Sequence, residues 1–210
     1  MVPALSLHLR QATMAEHKSA ESSPFIVGLM GGSLRLSDYT RYLVNMAWLY
    51  QALEDQVVQG EALPGSEALW DPRLNRVESI TSDLENLGVS DWSHTTKPSG
   101  AMTSYIEHLK SLGGRSDPRL IAHHYTRYLG DLSGGQAIAA LVARHYQATP
   151  EQLSFYRFEK IDNLVSFKQA YREALDGVSL TESEHDTVIT EAKLAFVRNQ
   201  NVFADLDHAA

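Results

Sequence analysis

The stretch RYLGDLSGGQAIAAL, Arg127 to Leu141, holds three glycines in six residues, at 130, 134 and 135. The apolar spacing around it is helical, opening at Asp117-Pro118 and running to about residue 147. Asp followed by Pro starts a helix well, because the aspartate caps and the proline's absent N–H is not needed in the first turn. Each interior glycine weakens a helix by about 1 kcal/mol relative to alanine. Gly130 and Gly134 lie four apart and share a face. With Ser133 and Gly135 they leave nearly a full turn bare, which invites a bend. Two readings are open: a neighbouring helix packs closely there, or the main chain lies against something flat. Asp131 places a carboxylate beside the bare backbone, although an aspartate there can also serve as a local backbone cap.

Working outward, LSDYTRYLVNMAWLYQALEDQVVQG predicts a helix from a capping Ser37 to Gly60. Tyr39, Tyr42, Leu43, Met46, Leu49, Tyr50, Leu53 and Val57 form its apolar stripe. DPRLNRVESITSDLENLG predicts a helix opened by Asp71 and Pro72 and closed at Gly88. SGAMTSYIEHLKSLGG is a shorter helix ending at Gly113, and Thr149-Pro150 starts a short helical turn. DNLVSFKQAYREALDG and SLTESEHDTVITEAKLAFVRNQNVFADL complete the chain, the second opened by a capping box of Thr181 and Glu184. Residues 89–98, with Trp92 and His94, read as a loop. No segment alternates with period two, so no strand is placed. The expected architecture is all-α, a single domain over 1–210 with about eight helices.

The 210 residues are 43% hydrophobic and 21% charged, enough for a substantial core. A net charge of −8 with dispersed basic residues argues against nucleic acid and against an anionic membrane surface. There is no cysteine, which excludes disulfides, thiolate metal sites and cysteine nucleophiles. The N-terminus lacks the pattern of a signal peptide, and no run approaches the roughly 20 apolar residues of a membrane span. The expectation is a cytoplasmic protein with no membrane anchor.

In LHLRQATMAEHKSAESSPF, Arg10, Met14, His17 and Glu21 fall at spacings of four, three and four and form one helical stripe. His17 is a candidate metal or haem ligand, with Glu21 one turn on to orient the imidazole through its second nitrogen. Arg10 lies about 10 Å along the axis from His17, the reach from an iron to the rim of a haem. The chain has nine histidines, and a lone helical histidine is more often an ordinary polar residue. His123 and His124 read as one buried and one exposed helix position.

RYLGDLSGGQ, together with the histidine of AEHKSAE and the segments WLYQALE, FKQAYREALD and EAKLAFVRNQNVFADL, resembles the haem oxygenase family over nearly the whole chain. The resemblance implies haem b sandwiched between a proximal N-terminal helix and a glycine-kinked distal helix. It makes His17 the iron ligand, with Glu21 as its hydrogen-bonding partner. Gly130 and Gly134 would line the distal face, and Asp131, supported by Arg127, would order water near the iron. Arg10, Tyr125, Lys168 and Arg172 would meet the propionates, with Phe196 and Asn199 near the pocket. The bland alternatives are solvated charges for Arg10, Lys168 and Arg172, and plain core for Phe196. The sequence departs from the family in WLYQALE, where Gln51 stands at a position commonly held by tyrosine. A distal network using that hydroxyl would be built differently here.

The implied activity is oxidative cleavage of haem to biliverdin, carbon monoxide and ferrous iron. Haem would be both substrate and cofactor, O2 the co-substrate, and a reductase or ferredoxin the electron donor. The expected state is a soluble bacterial-type monomer, with iron acquisition as the first purpose and bilin pigment synthesis or signalling as the alternatives. A haem carrier or sensor without turnover, and a helical module whose glycines serve packing alone, are the rival readings.

Overall fold

The computed structural model describes residues 3–208, and among them there is no strand. The helices are α1 (Leu5–Ala12), α2 (Met14–Glu21), α3 (Pro24–Gly31), α4 (Leu36–Val57), α5 (Val77–Asn86), α6 (Trp92–Thr95), α7 (Gly100–Lys110), α8 (Pro118–His124), α9 (Gly130–Tyr146), α10 (Leu164–Asp176) and α11 (Glu182–His208). The all-α expectation holds. None of these helices is long and apolar enough to cross a membrane.

The middle of the bundle is α4, where Tyr39, Leu43, Met46, Leu49, Tyr50 and Leu53 are fully buried. Ser37 does not cap it. Asp38 accepts the Arg35 backbone N–H at 2.8 Å and pairs with Arg41 at 2.9 Å, so the helix begins at Leu36. It ends at Val57, and Gly60, with φ +69°, lies in the turn beyond.

The single helix expected over 71–88 is two elements. Asp71 caps as expected, accepting from the Arg73 backbone at 2.9 Å, but the turn it opens stops at Leu74. A new helix, α5, starts at Val77, because Glu54 Oε1 on α4 takes the backbone N–H groups of Arg76 and Val77 at 2.5 and 3.2 Å. Those are orphan donors of a helix start, and here their acceptor comes from another helix. The expected loop over 89–98 also gains a helical turn, α6. Its Trp92 is buried, donates to Thr81 Oγ1 at 3.0 Å and meets Trp48 edge-on at 5.0 Å.

Near the N-terminus, Arg10 and His17 stand on different helices. The break is Thr13 (φ −101°, ψ 5°), whose hydroxyl donates to the Leu9 carbonyl at 2.8 Å, a back-bond that bends helices. The α8–α9 rod is also irregular, but one turn before the glycines. A π-helical turn spans Tyr125–Leu129, and α9 then starts regularly at Gly130. The wide turn brings Thr126, Arg127 and Tyr128 inward together. His123 and His124 are both buried, contrary to the expected pair of one inside and one outside. The helix passes through the core, with Tyr105 and Glu191 on one side and Tyr171 and Trp70 on the other.

The Thr181–Glu184 capping box opens α11, with Thr181 N–H to Glu184 Oε2 at 2.8 Å and Glu184 N–H to Thr181 Oγ1 at 3.3 Å. The helix packs against α8, α7, α2 and α3. Its far end is anchored where Asp205 accepts the Ala101 backbone N–H at 2.7 Å.

Candidate functional site

Gly130 and Gly134 are exposed, and a methyl group built on either would meet no atom within 4 Å. The close-packing reading therefore fails for this pair. It holds for the third glycine: a methyl on Gly135 would sit 3.1 Å from the ring of buried Tyr156. Thus α9 packs through one glycine and presents bare main chain through the other two.

Behind that bare surface lies a buried polar network. Asp131 is not a backbone cap. Its Oδ2 accepts from the Tyr50 hydroxyl, and its Oδ1 accepts from Arg127 Nη2 at 3.3 Å. Arg127 also donates to Asn199 Oδ1 at 3.3 Å and to Met46 Sδ at 3.6 Å, with its guanidinium 5.4 Å from the centre of the Tyr50 ring. Burial pushes the Asp131 carboxyl above the usual carboxylate value, while the Arg127 cation and the Tyr50 hydrogen bond pull the other way. Such a carboxyl can hold or pass a proton nearer neutral pH than a solvated one. Arg127 prevents the ionised form from being an uncompensated buried charge.

Across the site, His17 stands on α2 with 55% of its side chain exposed. Its Nδ1 faces Glu21 Oε2 at 3.5 Å, which leaves Nε2 free to bind a metal. The ring rests edge-on against Phe196 at 5.7 Å. Phe196 is half-buried, packing against the core as well as against this ring. It lies on α11 three residues before Asn199, so this helix touches His17 with one side chain and Arg127 with the other.

The cationic residues gather at the junction of α1, the π turn and α10. Burial raises the Tyr125 phenol, offset by a hydrogen bond with Thr13 and by the nearby Arg172 and Arg10 cations. Arg172 Nη1 donates to the Lys168 carbonyl at 3.3 Å, and both residues are half-buried. The Lys168 ammonium has no partner among the described residues. Asp176 on α10 accepts from the Ser6 backbone at 2.8 Å and from its hydroxyl at 3.0 Å, which holds this end of α10 to α1.

Gln51 takes no part in the network. Its amide donates to Asp55 Oδ1 at 2.8 Å, away from Asp131. The hydroxyl is supplied by the preceding residue, Tyr50, which reads in the sequence as one more member of the α4 apolar stripe. Met46 belongs to the same stripe and reads there as packing alone. Only the partner across the fold separates a network tyrosine from a packing one.

Together these features suit a flat, anionic ligand with a metal at its centre: an exposed imidazole, a bare helix face, a buried carboxyl and a group of cations. Residues 3–205 match the family model described as Heme oxygenase. The heme oxygenase of Porphyra purpurea is 32% identical over 99% of this chain and 88% of its own length. Among solved structures, heme oxygenase-1 of Synechocystis sp. PCC6803 in complex with heme superposes with a TM-score of 0.93 at 29% identity, over 99% of this chain and 94% of that one. Heme oxygenase from Leptospira interrogans gives a TM-score of 0.85 at 34% identity, over 96% and 99% respectively.

Proposed function

This chain belongs to the heme oxygenase family, and we propose that it cleaves haem to biliverdin, carbon monoxide and ferrous iron, using O2 and electrons from an external donor. The observation that carries this reading is the open face at Gly130 and Gly134 backed by buried Asp131. A helix that needed those glycines for packing would have an atom against them. Bound haem supplies the iron at which O2 is activated and, as substrate, the ring carbon that is oxidised.

The protein's own residues do the rest. His17 Nε2 would hold the iron, with Glu21 keeping the proton on Nδ1 and Phe196 restraining the imidazole ring. Gly130 and Gly134 would let the main chain of α9 lie close over the bound haem and leave room for a small ligand only. Asp131 orders water there and moves a proton through its carboxyl. Tyr50, Arg127 and Asn199 hold that carboxyl in place. Arg10, Tyr125, Lys168 and Arg172 take the propionates, and their charge marks the edge where a reductase or ferredoxin would dock. Gln51 points away from this network, whose hydroxyl comes from Tyr50.

The test is an absorption spectrum of the protein with one equivalent of hemin, followed after a reductant is added in air. A Soret band that decays while a broad red biliverdin band grows is the expected result. A Soret band that persists would leave a haem binder without turnover, and no Soret band at all would remove haem from the account.

A further inference from the structure

Away from this site, α7, α8 and α11 bring three ligating side chains to one point. His108 on α7 and His123 on α8 both aim Nε2 at Oε1 of Glu191 on α11, at 2.5 and 2.8 Å. The donor atoms of all three residues lie within 4.8 Å of one another. We propose that His108, His123 and Glu191 bind one divalent transition-metal ion, of the zinc or ferrous type, at a site separate from that of haem.

The donor set is the first argument. Two imidazoles and a carboxylate suit zinc and ferrous iron, and leave a position for water. The second is the outer partner. The Tyr105 hydroxyl lies 2.9 Å from His123 Nδ1, so when Nε2 binds metal the proton sits on Nδ1 and is donated to the phenol oxygen.

The present spacing is that of hydrogen bonds. Tetrahedral zinc with bonds near 2 Å sets its ligands roughly 3.3 Å apart, so each donor has to move by less than about 1 Å. Rotation of the Glu191 and His108 side chains supplies that movement. Access is open as well. His123 is fully buried, but His108 is 18% exposed, and Glu191 lines a groove of about 770 Å³ with Asp186, Thr187 and Thr190. A bound ion would clasp three helices just before the π turn that leads to Arg127 and Asp131.

The experiment is equilibrium dialysis of the full, haem-free chain against Zn2+, in a His17→Ala background that removes the exposed haem-site imidazole. One zinc per chain is expected, with affinity falling at least tenfold in His108→Ala and in Glu191→Gln. Far-UV circular dichroism of each variant confirms that its helices persist. X-ray absorption at the zinc edge is expected to show two imidazole ligands. Absence of bound zinc in the His17→Ala protein, or binding that neither substitution weakens, would overturn the proposal.

Discussion

The Tyr50 phenol donates to Oδ2 of Asp131, joining α4 to α9 across 81 positions of sequence. That bond lowers the carboxyl pKa against the larger effect of burial. Replacing Tyr50 by Phe is expected to leave hemin binding intact and to shift the acid limb of the turnover profile to higher pH. Asp131→Asn removes the titrating group and is expected to cut biliverdin formation at least tenfold at unchanged hemin affinity. Single-turnover rates measured against pH check both, and an unmoved limb in Tyr50→Phe would separate the phenol from proton delivery.

The glycines give a contrast that stability alone can read. Gly134→Ala meets no neighbour and gains helix propensity, so the haem-free protein is expected to be more stable by about 0.5–1 kcal/mol while hemin binding weakens. Gly135→Ala presses on the Tyr156 ring and is expected to lose that gain. Urea unfolding beside hemin titration measures both. A Gly134→Ala protein that is more stable and binds hemin as before would mean that the bare face does not touch the ring.

His17 and Glu21 are exposed, and a surface pair of this kind is worth about 0–1 kcal/mol. His17→Ala is therefore expected to unfold within about 0.5 kcal/mol of the parent yet lose the axial ligand. The hemin complex should show a displaced Soret band, restored by added imidazole. Failure of imidazole to restore it would place the axial nitrogen elsewhere.

Burial alone holds His124 down at about 3, with its Nδ1 at 2.7 Å from the Tyr171 hydroxyl. The unfolded chain takes up this proton near pH 6.5 and the folded one does not. Its contribution to stability is thus complete above pH 6.5 and falls as pH drops toward 3, by up to about 1.4 kcal/mol per pH unit. His124→Asn keeps a polar group near the phenol without the titration. Its urea-derived stability should fall less steeply between pH 6.5 and 4.5 than that of the parent. Equal slopes would show that His124 titrates normally in the fold.

Most helix starts with local signals were legible: Asp71 and Asp117 each accept a backbone N–H two residues on, and Thr181 reaches Glu184, although Ser37 yields its place to Asp38. Starts set from a distance were not. Glu54 caps α5 from another helix, and nothing near Asn75 announces the break. The candidate site divides in the same way. His17, Arg127, Asp131 and the glycines stand in short motifs whose spacing carries meaning. Tyr50 hides in an apolar stripe because a hydroxyl's partner has no trace in its own neighbourhood. The His108, His123 and Glu191 cluster is similarly invisible, its members being drawn from three separated helices.

The two contacts of α11, Phe196 on His17 and Asn199 on Arg127, bear on how the protein is made. A ribosome delivers α2 and α9 well before it delivers α11. Until residues near 200 have left the exit tunnel, the growing chain lacks the clamp between its two walls, and the guanidinium over Asp131 has no amide to steady it. Haem capture would therefore wait for α11, and a chain cut before this helix would carry both halves of a pocket without the element that touches them both.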